Sequence, residues 1–291
     1  MIALAPWTDR AGRISWLKLA VFLACCAPAF WIAWQWRDGQ LSPKPVTDVL
    51  RQTGDWALRF LVATLAISPL RHATRWNRLY VVRRMLGLTA MAYTLTHLGF
   101  WFAHENFVWW TILMESLLRV YLLVGYVATF IMIALGITSN EAAIRRLGSH
   151  GWNNLHWWIY PAALASLVHY FMLVRLDATQ AALMAGLCAL FAGFRALRKR
   201  KSDFGVASLI ALALFAGVAT ALIEAGYYAF ATGVDARRLL EAHLDFSYAI
   251  RPAWHVLAAG LAMALARLAR DAWKTQARAG DHEKQRAGDL P

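Results

Sequence analysis

The chain has few charged residues for its length. Of its 291 residues only 16% are charged, whereas 59% are hydrophobic, and the mean hydropathy is +0.42. Soluble globular domains carry about 25% charged residues, so this composition excludes an ordinary water-soluble enzyme. It predicts an integral membrane protein.

Cysteine is scarce as well. The three cysteines, Cys25, Cys26 and Cys188, lie in apolar runs and form no C-x-x-C pair and no C-x-x-C-H heme-attachment motif. A covalently attached heme and a thiolate metal site are therefore not expected. The chain also lacks a G-x-G-x-x-G nucleotide-binding unit, so a cytoplasmic donor of electrons would have to be another protein.

Long apolar runs are what the chain has in abundance. At about 20 residues per membrane-spanning helix, eight candidates can be read from the sequence: 14–34, 56–70, 85–103, 117–137, 155–174, 178–197, 206–231 and 253–268. A basic run at residues 198–203 separates the first six from the last two. We therefore predict an all-α integral membrane protein. Its expected parts are a six-helix transmembrane bundle (1–203), a transmembrane appendage of two additional helices (204–272) and a disordered polar cytoplasmic tail (273–291).

The net charge of +13 is a topology signal. Most of the 30 basic residues lie in every second connection and at the two ends of the chain, which by the positive-inside rule predicts that both termini face the cytoplasm. This distribution argues against nucleic-acid binding. The first run is expected to remain as a helix, because no small-x-small cleavage site follows it and Trp31, Trp34 and Trp36 form an interfacial belt at its end.

Histidines within the apolar runs are the strongest functional signal. His97 follows Arg84 by thirteen residues in the third run, which places it about 20 Å from the cytoplasmic start of the helix at 1.5 Å per residue. The fifth run also leads outward, so His169 reaches the same outer depth on a different helix, whereas His156 lies near the inner surface. Two imidazoles at one depth can face each other across a cofactor.

A bis-histidine heme requires this arrangement, with neutral imidazole nitrogens above and below an apolar macrocycle. Zinc would ordinarily need a third or fourth ligand. We predict that His97 and His169 ligate an outer heme and that His156 marks an inner redox level, with one or two hemes in total. Hydrogen bonding between helices is the alternative role of each histidine, and His104 and His255 are further candidate ligands.

Two points about His156 stay open at this stage. In a straight helix, thirteen residues would place His156 and His169 on roughly opposite faces, unless Pro161 changes the local winding. The second ligand of an inner heme is also undetermined, with His72 and His150 as the alternatives on that side.

Three arginines are candidate cofactor-binding residues. Arg59 lies near the outer end of the second run and is expected to pair with an anion such as an outer heme propionate. Arg83 and Arg84 lie at the inner end of the third run, where they could bind heme propionates or a flavin phosphate. Anchoring at the membrane surface is their alternative role.

Four sequence motifs resemble those of one family. They are ATLAISPL at 63–70, RRMLGL at 83–88 followed by His97, TSNEAAIRRLG at 138–148, and WNNLHWWIY at 152–160 followed by His169. Together they resemble the MsrQ family, which is the heme-binding inner-membrane subunit of a bacterial periplasmic methionine sulfoxide reductase system, within the ferric reductase-like transmembrane superfamily. The resemblance covers about residues 14–200.

The resemblance implies a b-type heme protein of the bacterial inner membrane, an electron-transfer subunit with no catalytic residue of its own. Its ligand histidines correspond to His97, His156 and His169. Electrons would pass from a cytoplasmic flavin reductase or quinol to a periplasmic molybdenum-containing methionine sulfoxide reductase subunit, and FMN is also associated with the family. A ferric or oxygen reductase component working with a separate flavoprotein is the alternative. A transporter or assembly factor with structural histidines would bind no heme.

Overall fold

The computed structural model describes residues 5–8, 11–174, 176–200, 204–247 and 249–288, with side chains up to residue 273. This part of the chain is helical and contains no strand, only an isolated bridge between Thr8 and Ile14. The helices are α1 (Trp16–Arg37), α2 (Pro45–Thr74), α3 (Leu79–His104), α4 (Trp109–Leu118), α5 (Val120–Ile137), α6 (Glu141–His156), α7 (Ile159–Leu173), α8 (Thr179–Arg200), α9 (Val206–Thr232), α10 (Ala236–Ala242) and α11 (Pro252–Gly288).

The all-helical membrane architecture predicted from the sequence is confirmed. Within the described residues, five helices are long and apolar enough to cross a membrane, namely α1, α5, α8, α9 and the Pro252–Trp273 part of α11. The other three expected spans also form helices but do not meet that standard. α7 has only 15 residues, α2 carries Arg59 among its apolar residues, and threonines and His97 lower the hydropathy of α3.

The second helix differs most from the expectation. The second span was expected over residues 56–70, yet α2 begins at Pro45 and continues past Pro69 to Thr74. Proline is favoured in the first turn of a helix because its missing N–H has no partner there. Asp48, in the same turn, accepts hydrogen bonds from the Ser42 hydroxyl and the Ser42 backbone N–H, and these bonds hold the pKa of its carboxyl below its ordinary value.

The fifth expected span is interrupted. α6 ends at His156 and α7 starts at Ile159, with Trp157 and Trp158 forming a turn between them. Pro161 lies in the first turn of α7, where it cannot donate a hydrogen bond back to the preceding turn. His156 and His169 therefore belong to different helices, so the opposite-faces objection, which assumed one straight helix, does not apply.

The chain divides into two compact units. The first comprises residues 1–67 and 77–177, and the second comprises residues 68–76 and 178–291. α8 packs with α9 and α11, and its Phe194 contacts His72 near the end of α2, which belongs to the same unit. The first unit ends at residue 177, and the domain boundary expected at residue 203 stays a prediction. The segment expected to be a disordered tail continues α11 as far as Gly288.

The second unit contains a buried ionic cluster. Glu224 of α9 is fully buried, and its carboxylate lies 3.3 Å from Arg251 Nη1 and 3.2 Å from His243 Nε2. His243 is itself buried and contacts the Leu239 carbonyl through Nδ1 at 2.9 Å. A buried carboxylate requires such partners, because an isolated charge in an apolar interior is strongly disfavoured.

Close approach of α9 and α11 depends on small residues. A Cβ added at Gly260 would lie 2.5 Å from the Ala213 Cβ and 2.9 Å from its Cα. Because Ala213 has no flexible side chain that could turn away, α9 or α11 would have to move to make room. Small residues at such positions allow membrane helices to pack closely.

We expect Gly260→Val to destabilise the second unit by about 1–3 kcal/mol, the usual cost of overpacking. The matched control is Gly226→Val in α9, where nothing lies within 4 Å of an added Cβ. The measurement is the unfolding midpoint in a mild detergent, followed by circular dichroism. Equal midpoints for the two variants would contradict the packing explanation.

Candidate functional site

A cavity of about 840 Å³ lies in the first unit, between α2, α3, α5 and α7. Its volume is within the range of about 300–1,000 Å³ that cofactor sites occupy. Apolar side chains form much of its wall, including Leu58, Leu61, Leu98, Leu122, Ala128 and Met132. Its polar lining includes Thr47, Arg51, Asp55, Tyr170 and Asp177. A flat apolar group with polar substituents suits such a lining.

His97 of α3 and His169 of α7 both line this cavity. Their ring centres are 6.3 Å apart and their planes are inclined at 84°. With metal–nitrogen bonds of about 2 Å and about 1 Å from each nitrogen to its ring centre, the centres of two axial imidazoles on opposite sides of one metal lie about 6 Å apart. The observed spacing is therefore compatible with a bis-imidazole site.

Hydrogen bonds determine which nitrogen of each ring is free. His97 Nδ1 lies 2.8 Å from the Leu50 carbonyl oxygen, and His169 Nδ1 lies 2.7 Å from the Tyr121 carbonyl oxygen. A carbonyl oxygen only accepts, so Nδ1 must donate in both rings and carry the proton. Nε2 of each neutral ring then keeps its lone pair, which is the arrangement that second-shell hydrogen bonds impose on metal-binding histidines.

An unpaired donor also lines the cavity. The indole Nε1 of Trp101 is buried and has no hydrogen-bond partner among the described residues. Leaving a buried donor unsatisfied is unfavourable, so Trp101 fits a bound group that supplies an acceptor, such as a carboxylate. The two imidazoles, the apolar wall and this donor together fit a heme.

The ligand count also distinguishes heme from a simple metal ion. Across the described part of the chain, no three or more His, Cys, Asp and Glu side chains are grouped so as to hold a metal ion. A zinc site would ordinarily need such a group. A porphyrin supplies four equatorial nitrogens of its own, so two facing histidines suffice.

His156 lies outside this cavity. Its Nε2 is 3.2 Å from the Ser139 hydroxyl, its Nδ1 is 3.1 Å from the Trp152 carbonyl oxygen, and its ring stacks on Trp152 at 3.7 Å. Ser139 follows one end of α5, whereas Tyr121, the partner of His169, lies at the other end. The 18 residues of α5 span about 27 Å, so the two histidines lie at different levels of the same unit.

The remaining candidate histidines do not line the cavity. His104 is exposed and lies 3.4 Å from the Thr47 hydroxyl. His150 is exposed and contacts Asn154. In the second unit His255 is exposed, and His72 stacks on Phe204.

The three arginines proposed as cofactor-binding residues lie outside the cavity lining. The Arg59 guanidinium lies 4.8 Å from the centre of the Trp56 ring and does not line the cavity, whereas Arg51, which sequence reasoning missed, does. Arg83 lies close enough to His156 for its positive charge to interact electrostatically with the imidazole, and Arg84 is exposed.

Sequence reasoning also missed Asp55, which lines the cavity together with Tyr170. The sequence pattern did not indicate that α2 starts as early as Pro45. With the helix beginning at Pro45, Thr47, Arg51 and Asp55 follow one another at intervals of four residues and share one face.

Comparison with known proteins agrees with this site. The family model for the ferric reductase like transmembrane component matches residues 53–167, the segment that carries His97, His156 and most of the cavity wall. No solved structure matches the chain.

Curated relatives carry a more specific name. The chain is 35% identical over 198 residues to the protein-methionine-sulfoxide reductase heme-binding subunit MsrQ of Rhodospirillum rubrum, a match that covers 67% of this chain and 93% of that relative. It is 39% identical over 189 residues to the MsrQ proteins of Xanthomonas oryzae and Xanthomonas campestris, covering 62% of this chain and 86% of each relative. With nearly the whole length of such a relative covered, the chain belongs to the MsrQ family, within the ferric reductase-like transmembrane proteins.

Proposed function

We propose that this protein is a heme b electron-transfer subunit in which the imidazoles of His97 and His169 would hold one heme. The observation that carries the proposal is the pair of imidazoles 6.3 Å apart, each with Nδ1 turned to a backbone carbonyl. The absence of a C-x-x-C-H motif favours non-covalent binding. The heme would supply one-electron chemistry, and the protein would supply its orientation and surroundings.

The chain's own residues would act in three ways. The Leu50 and Tyr121 carbonyls hold the imidazoles in place and keep the proton on Nδ1, because each accepts an Nδ1–H. The leucines of the cavity wall exclude water, which influences the reduction potential of a bound heme. Trp101 Nε1 and the Arg51 guanidinium are the donors in the wall that would bind heme propionates, a role that the sequence analysis gave to Arg59.

The electrons would cross the bacterial inner membrane from the cytoplasmic side, where a flavin reductase or quinol donates them. They would leave at the periplasmic side to a molybdenum-containing methionine sulfoxide reductase subunit. The names of the relatives support the pairing with a methionine sulfoxide reductase, and the alternating basic connections support the orientation. The catalytic step would belong to the partner.

A ferric or oxygen reductase component is the second candidate, favoured by the match to the ferric reductase like family model. We expect dithionite-reduced protein, in the absence of air, to be reoxidised at least ten times faster by the oxidised methionine sulfoxide reductase subunit than by ferric citrate at equal concentration. The measurement is stopped-flow absorbance of the heme. Faster reoxidation by ferric citrate, or by oxygen in a parallel experiment, would favour the second candidate.

We propose that the inner redox site lies at His156. Arg83 acts on its charge, and Arg83 and Arg84 together offer cations for an inner propionate or for the phosphate of FMN. Ser139 already contacts Nε2 of this histidine, so a ligated His156 would have to give up that hydrogen bond.

The axial ligands can be tested by single substitutions. We expect His97→Ala and His169→Ala each to lose the low-spin heme spectrum, because each removes one strong-field nitrogen ligand. His104→Ala is the matched control, since it lies on the same helix and does not line the cavity. Heme content by pyridine hemochrome and spin state by absorption and EPR provide the measurement. A complete low-spin spectrum in either ligand variant would contradict the pairing.

The number of hemes can be tested at His156. If it ligates a second heme, purified protein should hold two hemes per chain, and His156→Ala should reduce this to one while the outer heme stays low-spin. Ser139→Ala is the control, because it removes the hydroxyl beside Nε2 but leaves the imidazole. A stoichiometry of one heme that His156→Ala leaves unchanged would instead assign His156 a structural role beside Trp152.

A further inference from the structure

The two cavity histidines are held by the same arrangement of backbone and glycine. His97 Nδ1 contacts the carbonyl of Leu50, and the residue four positions after Leu50 is Gly54. His169 Nδ1 contacts the carbonyl of Tyr121, and four positions after Tyr121 is Gly125. The spacing from acceptor to glycine is thus identical in α2 and α5, although the two helices share no sequence motif.

Helix geometry explains why the spacing is four. In an α-helix the carbonyl of residue i already accepts the N–H of residue i+4, and it has a second lone pair for another donor. The Cα–Cβ bond of residue i+4 points back toward the helix N-terminus, so its side chain covers the surface beside that carbonyl. A glycine at i+4 leaves the second lone pair accessible to an imidazole from a neighbouring helix.

The distances show how closely the rings use this space. A Cβ added at Gly54 would lie 2.9 Å from both Nδ1 and Cε1 of His97. A Cβ added at Gly125 would lie 2.9 Å from both Nδ1 and Cε1 of His169. Each ring therefore rests with its Nδ1–Cε1 edge on a bare helix backbone. It could not keep both its position and its carbonyl hydrogen bond if the glycine gained a methyl group.

We infer that Gly54 and Gly125 are positioning residues for the two axial ligands, an inference that rests on the proposed bis-histidine heme. Each glycine, with the carbonyl one turn before it, forms a cradle that aims Nε2 of one histidine into the cavity. Binding sites of this kind need their ligating groups held to within about 0.5 Å. Moving either ring would weaken or remove one axial bond.

The first test replaces each glycine by alanine. Gly54→Ala and Gly125→Ala should convert part of the heme to the high-spin form and lower heme affinity about 10–100-fold, the usual effect of disturbing a second-shell group. The matched control is Gly99→Ala, in α3 two residues after His97, where nothing lies within 4 Å of an added Cβ. Alanine ordinarily stabilises a helix relative to glycine, so a general effect on helix stability would have the opposite sign.

The second test asks whether the glycine acts through the imidazole. His97→Ala leaves an imidazole-sized space beside Gly54 and the Leu50 carbonyl, so added imidazole should enter it and restore the low-spin spectrum. In the double variant Gly54→Ala/His97→Ala the methyl group occupies that space, and the half-saturating imidazole concentration should rise at least about tenfold. The pair His169→Ala and Gly125→Ala/His169→Ala repeats the test on the other side.

These experiments distinguish the role of the two glycines from the proposed bis-histidine heme on which it rests. If wild-type protein is low-spin and His97→Ala is not, but imidazole rescues the single and double variants at equal concentrations, the heme site stands and the glycine cradle is wrong. An unchanged spectrum and heme affinity in Gly54→Ala and Gly125→Ala would also overturn the cradle. Wild-type protein that binds no low-spin heme would overturn both.

Discussion

The hydrogen bonds from Nδ1 of His97 and His169 to the carbonyls of Leu50 and Tyr121 determine what the first unit can do. Each bond settles which nitrogen carries the proton, and therefore leaves Nε2 with a lone pair facing a cavity of about 840 Å³. In an apolar interior a polar ring without such a partner would be costly. The same interaction thus stabilises the buried imidazoles and prepares them as ligands.

These two hydrogen bonds also restrict which residues can stand in the helices that supply the carbonyls. A helix carbonyl can serve a second donor only where the next turn exposes it, so the positions of Gly54 and Gly125 are tied to those of the histidines. The polar groups of the wall, including Asp55 and Tyr170, complete a lining in which apolar surface predominates. The second unit instead has a buried acidic side chain. Its buried Glu224 carboxylate lies 3.3 Å from Arg251 and 3.2 Å from His243.

The depth argument located His97 and His169 together because membrane helices rise by a constant 1.5 Å per residue and the basic residues give their direction. The same argument separated His156 from them, and the structure places it at the opposite end of α5. The expected pairing of Arg59 with a propionate stays a prediction, although Arg59 is not part of the cavity lining. Arg59 faces Trp56, and Arg51, two turns earlier, faces the cavity.

The sequence by itself determined that the chain is helical, that it belongs in a membrane and that two histidines share a depth, since composition and helical rise depend only on the order of residues. Tertiary structure decided which nitrogens are free, where α2 begins, and that the fifth span breaks at Trp157 and Trp158. It also decided that Gly54, which reads as part of a loop, supports a ligand. These features depend on contacts between residues tens of positions apart, such as Leu50 with His97, which no local pattern in the sequence records.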